Sequence, residues 1–334
     1  MKISSISLPV LLLAASFLWS CSSRSDWHRA EGAVWATAYH ITYRGPADLH
    51  DSIRAVMASV EGSLSPFDPQ SVISRINRGE SDEADSLVAK VWRQATVVNR
   101  VSGGMFDPTV APAVNLWRFG YKDSGREPSD SEIDSVKSFV GFAGCDLQNG
   151  KIVRKSPSTE FDFSAITKGF GCDEVGRMLE RNGCTDYMVE IGGEVSLRGK
   201  NDRGEPWHIM IEAPIESDSA VVSERMEVVE LTDCGIATSG NYRNYRDTPD
   251  GRVGHTINPI TCRPVKSLTL SATVIAPDAM TADALATACM AMPVDAALTM
   301  INSLDSVAAL IVVGDAQGGM KIMMSERFQK YVGR

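Results

Sequence analysis

A carboxylate and a hydroxyl stand four residues apart in MTADALATACMAM, Met280 to Met292. The stretch is rich in strong helix formers and meets no proline before Pro293, so it predicts a helix over Ala279 to Met292. On a helix Asp283 and Thr287 share a face, with Cβ atoms about 5–6 Å apart. Together they are hard oxygen donors, suited to Mg²⁺ and poor for zinc. The small neighbours Ala282, Ala284, Ala286 and Ala288 leave room for a bulky ligand. The same spacing also suits a first-turn acid beside a satisfied hydroxyl, and spacing alone favours neither reading.

A second chemical stretch is EFDFSAITKGFGCDEVGRML, Glu160 to Leu179. It reads as a strand ending near Phe163, a turn through Ser164, Ala165 and Ile166, then Lys168-Gly169 and a helix over Asp173 to Asn182. Free backbone groups at a strand-to-helix junction suit phosphate oxygens or a metal ion. Lys168 supplies a point charge and Asp162 an acceptor; the plainer alternative is a surface lysine on an ordinary first turn. In MVEIGGEV, Met188 to Val195, Gly192-Gly193 allow close approach of a ligand to the backbone, or mark a strand turn. Thr238, Ser239 and Gly240 read as a small polar turn, Arg243 and Arg246 as solvent or phosphate contacts, and His255 as an imidazole just before an Asn-Pro turn. No G-x-G-x-x-G fingerprint, Walker A loop or G-x-S-x-G elbow occurs, which counts against P-loop NTPases and typical α/β hydrolases.

The elements that must position these groups alternate irregularly. Strands are expected over Val34 to Tyr43, Tyr187 to Ile191, Glu194 to Arg198, Trp207 to Ile211, Val228 to Leu231, Leu268 to Ile275, Ala308 to Val313 and Lys321 to Met324. Helices are expected over Ser52 to Val60 and Ser86 to Val101, the latter with Val88, Val91, Trp92, Ala95 and Val98 on one face. Tyr121 to Ser135 reads as an exposed excursion leading into a short helix, and Pro214 to Arg225 as a mobile turn region. This mixture predicts an α+β fold rather than a doubly wound sheet.

Residues 1–20 read as a signal peptide of the lipoprotein type, since the apolar run from Ile6 to Trp19 is short and very early. Cys21 is then the lipidated residue, residues 21–30 a polar tether, and 31–334 a single domain. That places the chain outside the cytoplasm, on a bacterial membrane face. A net charge of −9 argues against nucleic acid. Six cysteines follow Cys21 without a C-x-x-C pair, so a zinc ribbon or thioredoxin motif is unsupported.

Taken in order, these motifs resemble the FAD:protein FMN transferase (ApbE) family over essentially the whole chain after the tether. LSPFDPQSVISRIN (Leu64 to Asn77) is similar to the family's early flavin-site segment, and SGGMFDPTVAPAVNLWRFG (Ser102 to Gly120) is the strongest match. DFSAITKGFGCD, VEIGGE, IATSGNY, HTINPITCRP and TADALAT then follow in the family's order. Two places depart from the pattern. Trp35-Ala36-Thr37 stands where Met-Gly-Thr is usual, and Asn258-Pro259-Ile260-Thr261-Cys262 where Asp-Pro-x-Thr-Gly is usual. The second change is expected to alter that turn.

The resemblance implies a mixed, largely antiparallel sheet architecture with packed helices and a flavin site in a cleft between lobes. It implies FAD as substrate and Mg²⁺ as cofactor, with the metal at Asp283 and Thr287, a carbonyl of Ala165, and Ala286 close by. It places flavin or nucleotide contacts at Phe67, Met105, Phe106, Asp107, Asp162, Lys168, Glu190, Gly192, Gly193, His255 and Thr256. The implied reaction transfers FMN from FAD to a threonine or serine hydroxyl of a target protein, a flavin-bearing subunit of a membrane electron-transfer complex, and releases AMP. Asp283, His255 and Lys168 would carry the catalysis, with the general base either Asp283 or His255. The same residues would also serve an FAD pyrophosphatase using water as acceptor, and a non-catalytic FAD-binding lipoprotein is a third reading.

Overall fold

The computed structural model describes residues 26–117, 128–214, 225–240, 245–248, 251–254, 256–315 and 319–333. Residues 1–20, Cys21, Arg243 and His255 lie outside them, as does most of the 214–225 turn region. The first half runs β1 (Asp26–Val34), β2 (Thr37–Gly45), α1 (His50–Leu64), α2 (Val72–Asn77), α3 (Ser86–Val101), α4 (Ala111–Leu116), α5 (Asp130–Lys137), β3 (Asp146–Gln148) and β4 (Lys151–Val153). The middle holds α6 (Ser164–Arg181), β5 (Asp186–Ile191), β6 (Glu194–Arg198), β7 (Trp207–Glu212), β8 (Arg225–Leu231) and β9 (Cys234–Gly240). The end holds β10 (Tyr245–Thr248), β11 (Gly251–Gly254), β12 (Ile257–Asn258), β13 (Arg263–Pro264), β14 (Thr269–Ala276), α7 (Ala279–Ala291), α8 (Val294–Ser303), β15 (Ala308–Gly314) and β16 (Met320–Met324).

Eight strands form one sheet in the order β1-β2-β5-β6-β9-β14-β15-β16. Each neighbouring pair is antiparallel. The expected α+β class with antiparallel sheets is what the chain adopts. Alternation along the strands sorts their side chains onto two faces. Ala272, Val274, Ala309 and Ile311 join the core under α3, α6 and α7. Ile275, Leu310 and Val312 join a second core, closed by the β7–β8 hairpin and Phe328. β14 is buried on both faces, which is why it reads as a nearly unbroken apolar run.

An aromatic cluster anchors the segment that leads into α6. Trp92 of α3 lies 4.6 Å from Phe142, 5.3 Å from Phe161 and 6.3 Å from Phe163, ring centre to ring centre. Helix α3 has the expected bounds and buries all five expected residues. Asp85 caps it, accepting from the N–H groups of Leu87 and Val88 at 3.0 and 2.8 Å.

Several expectations are corrected. Residues 26–30 are not tether but the first half of β1, paired along its length with β2. The single expected strand at 34–43 is the turn and second arm of that hairpin. Val34 faces Thr37, and the two residues between them, Trp35 and Ala36, have φ of +49° and +59°, a type I′ geometry. No strand runs up to Phe163, since β4 ends at Val153, and the helix starts at Ser164, well before Asp173. Lys168 and Gly169 therefore lie inside it. Glycines at 169, 171 and 176 disguise this helix, because glycine lowers helix propensity. Thr238, Ser239 and Gly240 belong to strand β9, not to a turn.

Candidate functional site

Two helices bring the sequence-distant donors together. The backbone N–H of Gly169 on α6 donates to Asp283 Oδ2 on α7 at 3.0 Å. The helices can meet so closely only because residue 169 has no side chain. A Cβ there would stand 2.2 Å from the carbonyl oxygen of Ala279 and 2.9 Å from Cβ of Asp283. Within an α-helix the Gly169 N–H also belongs to the carbonyl of Ala165, four residues back. Ala165 thus lies one turn before the residue of α6 that binds Asp283.

Asp283 is only 3% exposed. Burial raises its pKa, while Lys168 and the Gly169 N–H pull against that shift. Lys168 Nζ is 2.5 Å from Glu194 Oε2 at the start of β6. Glu194 is buried; burial first and the neighbouring Asp283 second raise its pKa, against the pull of Lys168. Burial alone would lower Lys168, but Glu194 and Asp283 outweigh it and its pKa is raised. The cluster is therefore two buried carboxylates sharing one ammonium, an arrangement short of positive charge.

One turn beyond Asp283, Thr287 is half-buried, and its Oγ1 is 3.3 Å from Ser239 Oγ on β9. Ala286 is fully buried beside it. A carboxylate, a hydroxyl and main-chain carbonyls form an all-oxygen set that fits a hard divalent cation, and a cation would offset the excess negative charge. Lys168 keeps 36% of its side chain exposed, so solvent reaches the edge of the cluster.

The remaining motifs gather along α6's leading end. Asp162 Oδ1 accepts from Ser164 N–H at 2.8 Å, holding the first turn of α6, and Asp162 N–H donates to the carbonyl of Pro108 at 2.7 Å. Asn77, closing the early motif, makes two 2.8 Å bonds to the backbone of Phe161. Asn258 Nδ2 approaches Met105 Sδ at 3.8 Å. Four stretches far apart in sequence are thereby joined.

Within this wall the expected roles divide. Phe67 is 72% exposed. Phe106 is not: its ring is buried in the core, its N–H donates to Ser102 Oγ, and its carbonyl accepts from Asn99. Asp107 is tied into the scaffold, its Oδ1 accepting from Thr109 N–H and Oγ1 and its Oδ2 from Phe142 N–H. A cavity of about 260 Å³ opens beside it, lined by Asn99, Gly104, Asp107, Lys137, Pro259 and Ile260. Thr256 accepts from Val265 N–H through its carbonyl, at the base of the β12–β13 hairpin.

The turn at 258–262 is kept despite its changed residues. Asn258 Oδ1 accepts from Ile260 and Thr261 N–H at 2.9 and 3.0 Å, as an aspartate would. Cys262 adopts φ +52°, the conformation that glycine favours, and its carbonyl accepts from Trp117 Nε1 at 2.8 Å.

Glu190 is not brought to the cluster. Alternation sets it opposite Val195, on the sheet face away from α6, where it binds His40 and the Gly193 N–H. Glu194 is the acid of that motif which reaches Lys168. Its pairing with Ile191 across the hairpin puts it on the helix side. Counting alternate residues through the Gly192-Gly193 turn finds it, since both strand bounds are legible; Gly192 and Gly193 have φ of +64° and +102°.

Comparison with known proteins agrees with this fold. The model of the ApbE family matches residues 35–311. The chain is 32% identical to the FAD:protein FMN transferase of Haemophilus influenzae, over 96% of each chain. It is 29% identical to that of Escherichia coli, again over 96% of each. Among solved structures, the flavin transferase ApbE from Vibrio cholerae superposes with a TM-score of 0.81 at 31% identity, over 92% of this chain and 99% of that one. The apo flavinyl transferase ApbE of Pseudomonas stutzeri gives 0.82 at 28%, over 93% and 98%. With its motifs in order, its donors converged and its fold shared, this chain belongs to the ApbE family.

Proposed function

We propose that this chain is a flavin transferase that moves FMN from FAD to a threonine or serine hydroxyl of another protein and releases AMP. The observation that supports the reading is the Gly169 N–H bond to Asp283, which docks the helix carrying Ala165 against the helix carrying Asp283 and Thr287. Those residues, with Ala286, would hold Mg²⁺, which supplies positive charge beside the FAD diphosphate. Lys168, steadied by Glu194, adds a second positive charge where the leaving phosphate gains negative charge. The acceptor oxygen forms a bond to the FMN phosphorus as the bond to the AMP phosphate breaks. The hydroxyl proton passes to a base. Imidazole at His255 suits neutral pH, whereas cation binding at Asp283 would weaken that carboxylate as a base.

Phe67 offers an exposed ring to the isoalloxazine, worth on the order of 1 kcal/mol. Met105, beside Asn258, and Asp162, at the first turn of α6, would contribute further flavin contacts. We further propose that Cys21 carries lipid and holds the chain at an extracytoplasmic membrane face. Flavin-bearing subunits of electron-transfer complexes are presented on that side.

The test incubates purified chain with FAD and Mg²⁺, with and without an acceptor domain, and follows AMP together with the intact mass of the acceptor. Transfer predicts an FMN-bearing acceptor and an equal yield of AMP. Free FMN with unmodified acceptor would identify a pyrophosphatase instead. FAD retained without turnover would identify a binding protein.

A further inference from the structure

Helix α7, which carries Asp283 and Thr287, begins with backbone N–H groups that no residue within the helix can satisfy. Asp278, just before it, accepts one of them, from Thr281 at 2.7 Å. The other two are taken from outside. Asp173 on α6 accepts from Ala279 N–H through Oδ1 at 3.0 Å and from Met280 N–H through Oδ2 at 2.9 Å. Asp173 stands four residues after Gly169, on the same face of α6. Helix α6 therefore grips α7 at two points one turn apart, the second being the Gly169 bond to Asp283.

We infer that Asp173 is a positioning residue for the metal site: by capping α7 from the neighbouring helix, it sets where Asp283 and Thr287 stand relative to Ala165. The inference rests on the reading of Asp283 and Thr287 as Mg²⁺ ligands. Asp278 is a local cap and stabilises the helix end wherever that helix points. Asp173 belongs to another element, so its two bonds fix the orientation of one helix against the other. There is little slack in this contact. Ala279 is pinched between the two glycines of α6 and β9, since a Cβ on Gly235 would lie 2.1 Å from the Ala279 nitrogen and one on Gly169 would lie 2.2 Å from its oxygen.

Opposing influences act on the charge of Asp173. Burial first, and then the charge of Asp278, raise its pKa to about 7, against the Met280 and Ala279 amides and the Arg177 guanidinium. An asparagine would fill the same space but offers one acceptor and a donor in place of two acceptors, so one helix N–H would face an NH₂ group.

The test compares wild type, Asp173→Asn and Asp278→Ala by calorimetric titration with Mg²⁺ alone, by FAD affinity from flavin fluorescence, and by thermal unfolding. Asp173→Asn should raise the Kd for Mg²⁺ by about tenfold or more, the range seen when groups that orient metal ligands are lost. Asp278→Ala should lower thermal stability but leave the Kd within about twofold, and FAD affinity without metal should stay unchanged in both. Wild-type affinity in Asp173→Asn overturns the inference, as does equal weakening by Asp278→Ala, which would reduce Asp173 to a general helix stabiliser. A wild-type chain that binds no Mg²⁺ overturns the metal reading itself, and the inference with it. Should Asp173→Asn fail to fold, Asp173→Glu, which keeps the charge but displaces it by one methylene, carries the same comparison and should also weaken Mg²⁺ binding.

Discussion

The backbone N–H of Gly169 and the Oδ2 of Asp283 are 3.0 Å apart in space and 114 positions apart in sequence. One hydrogen bond thus reports whether α6 and α7 are docked and whether the buried carboxylate faces the first turn of α6.

Gly169→Ala tests that docking. The new methyl would meet the backbone oxygen of Ala279, which cannot rotate away as a side chain could. The helices must separate, at a cost of about 1–3 kcal/mol. Thermal unfolding should show the loss, and AMP release from FAD should fall at least tenfold at a temperature where the variant is folded. An alanine variant with wild-type stability and activity would mean that the close contact is not present in solution.

Asp283→Ala should reduce Mg²⁺-dependent AMP release by about 100-fold or more, the scale for losing a group that serves charge stabilisation. Full Mg²⁺-dependent transfer by this variant would rule out the metal role of Asp283.

Thr287→Val removes the hydroxyl 3.3 Å from Ser239 while keeping the shape of the side chain. It should weaken Mg²⁺ binding by about five- to tenfold, whereas Thr287→Ser should restore it. Calorimetry on the two variants separates a ligand from a packing group. If valine and serine bind Mg²⁺ alike, the hydroxyl is not a ligand.

Glu194 makes a prediction about stability and pH. Its pKa, like that of Asp173, is raised in the folded chain above the ordinary carboxylate range. The folded chain therefore holds protons that the unfolded chain has released. The stability these groups contribute is full below about pH 4.5 and declines as pH rises through their folded pKa values. For Asp173 the loss is centred on the approach to about pH 7. Without divalent cation, Glu194→Gln should flatten this decline by up to about 1.4 kcal/mol per pH unit. Denaturant melts between pH 5 and 8.5 measure it, and an unchanged slope would show that Glu194 stays ionised throughout.

Much of the site was legible because its donors lie within short motifs. Asp283 and Thr287 share a face through the period of one helix, and that helix was clear from its alanines and its lack of proline. The five-residue face of α3 was equally plain, since its apolar spacing matches 3.6 residues per turn. The start of α6 was hidden because its glycines serve contacts with α7 and β-strand residues that no local pattern records. Glu190 was expected from the family resemblance and Glu194 was not; which acid faces α6 is set by strand alternation on either side of the Gly192-Gly193 turn.

By itself the sequence determined the chemical inventory: which oxygen donors exist, which helix carries two of them, and the order of motifs that marks the family. Tertiary structure alone decided which groups meet. It set Gly169 against Asp283, gave Lys168 to Glu194, turned Glu190 away, and buried Phe106. The reason is that helix and strand periods are local properties of consecutive residues, whereas contact between α6 and α7 depends on the absence of two side chains, at Gly169 and Gly235, on different elements packed against the same residue.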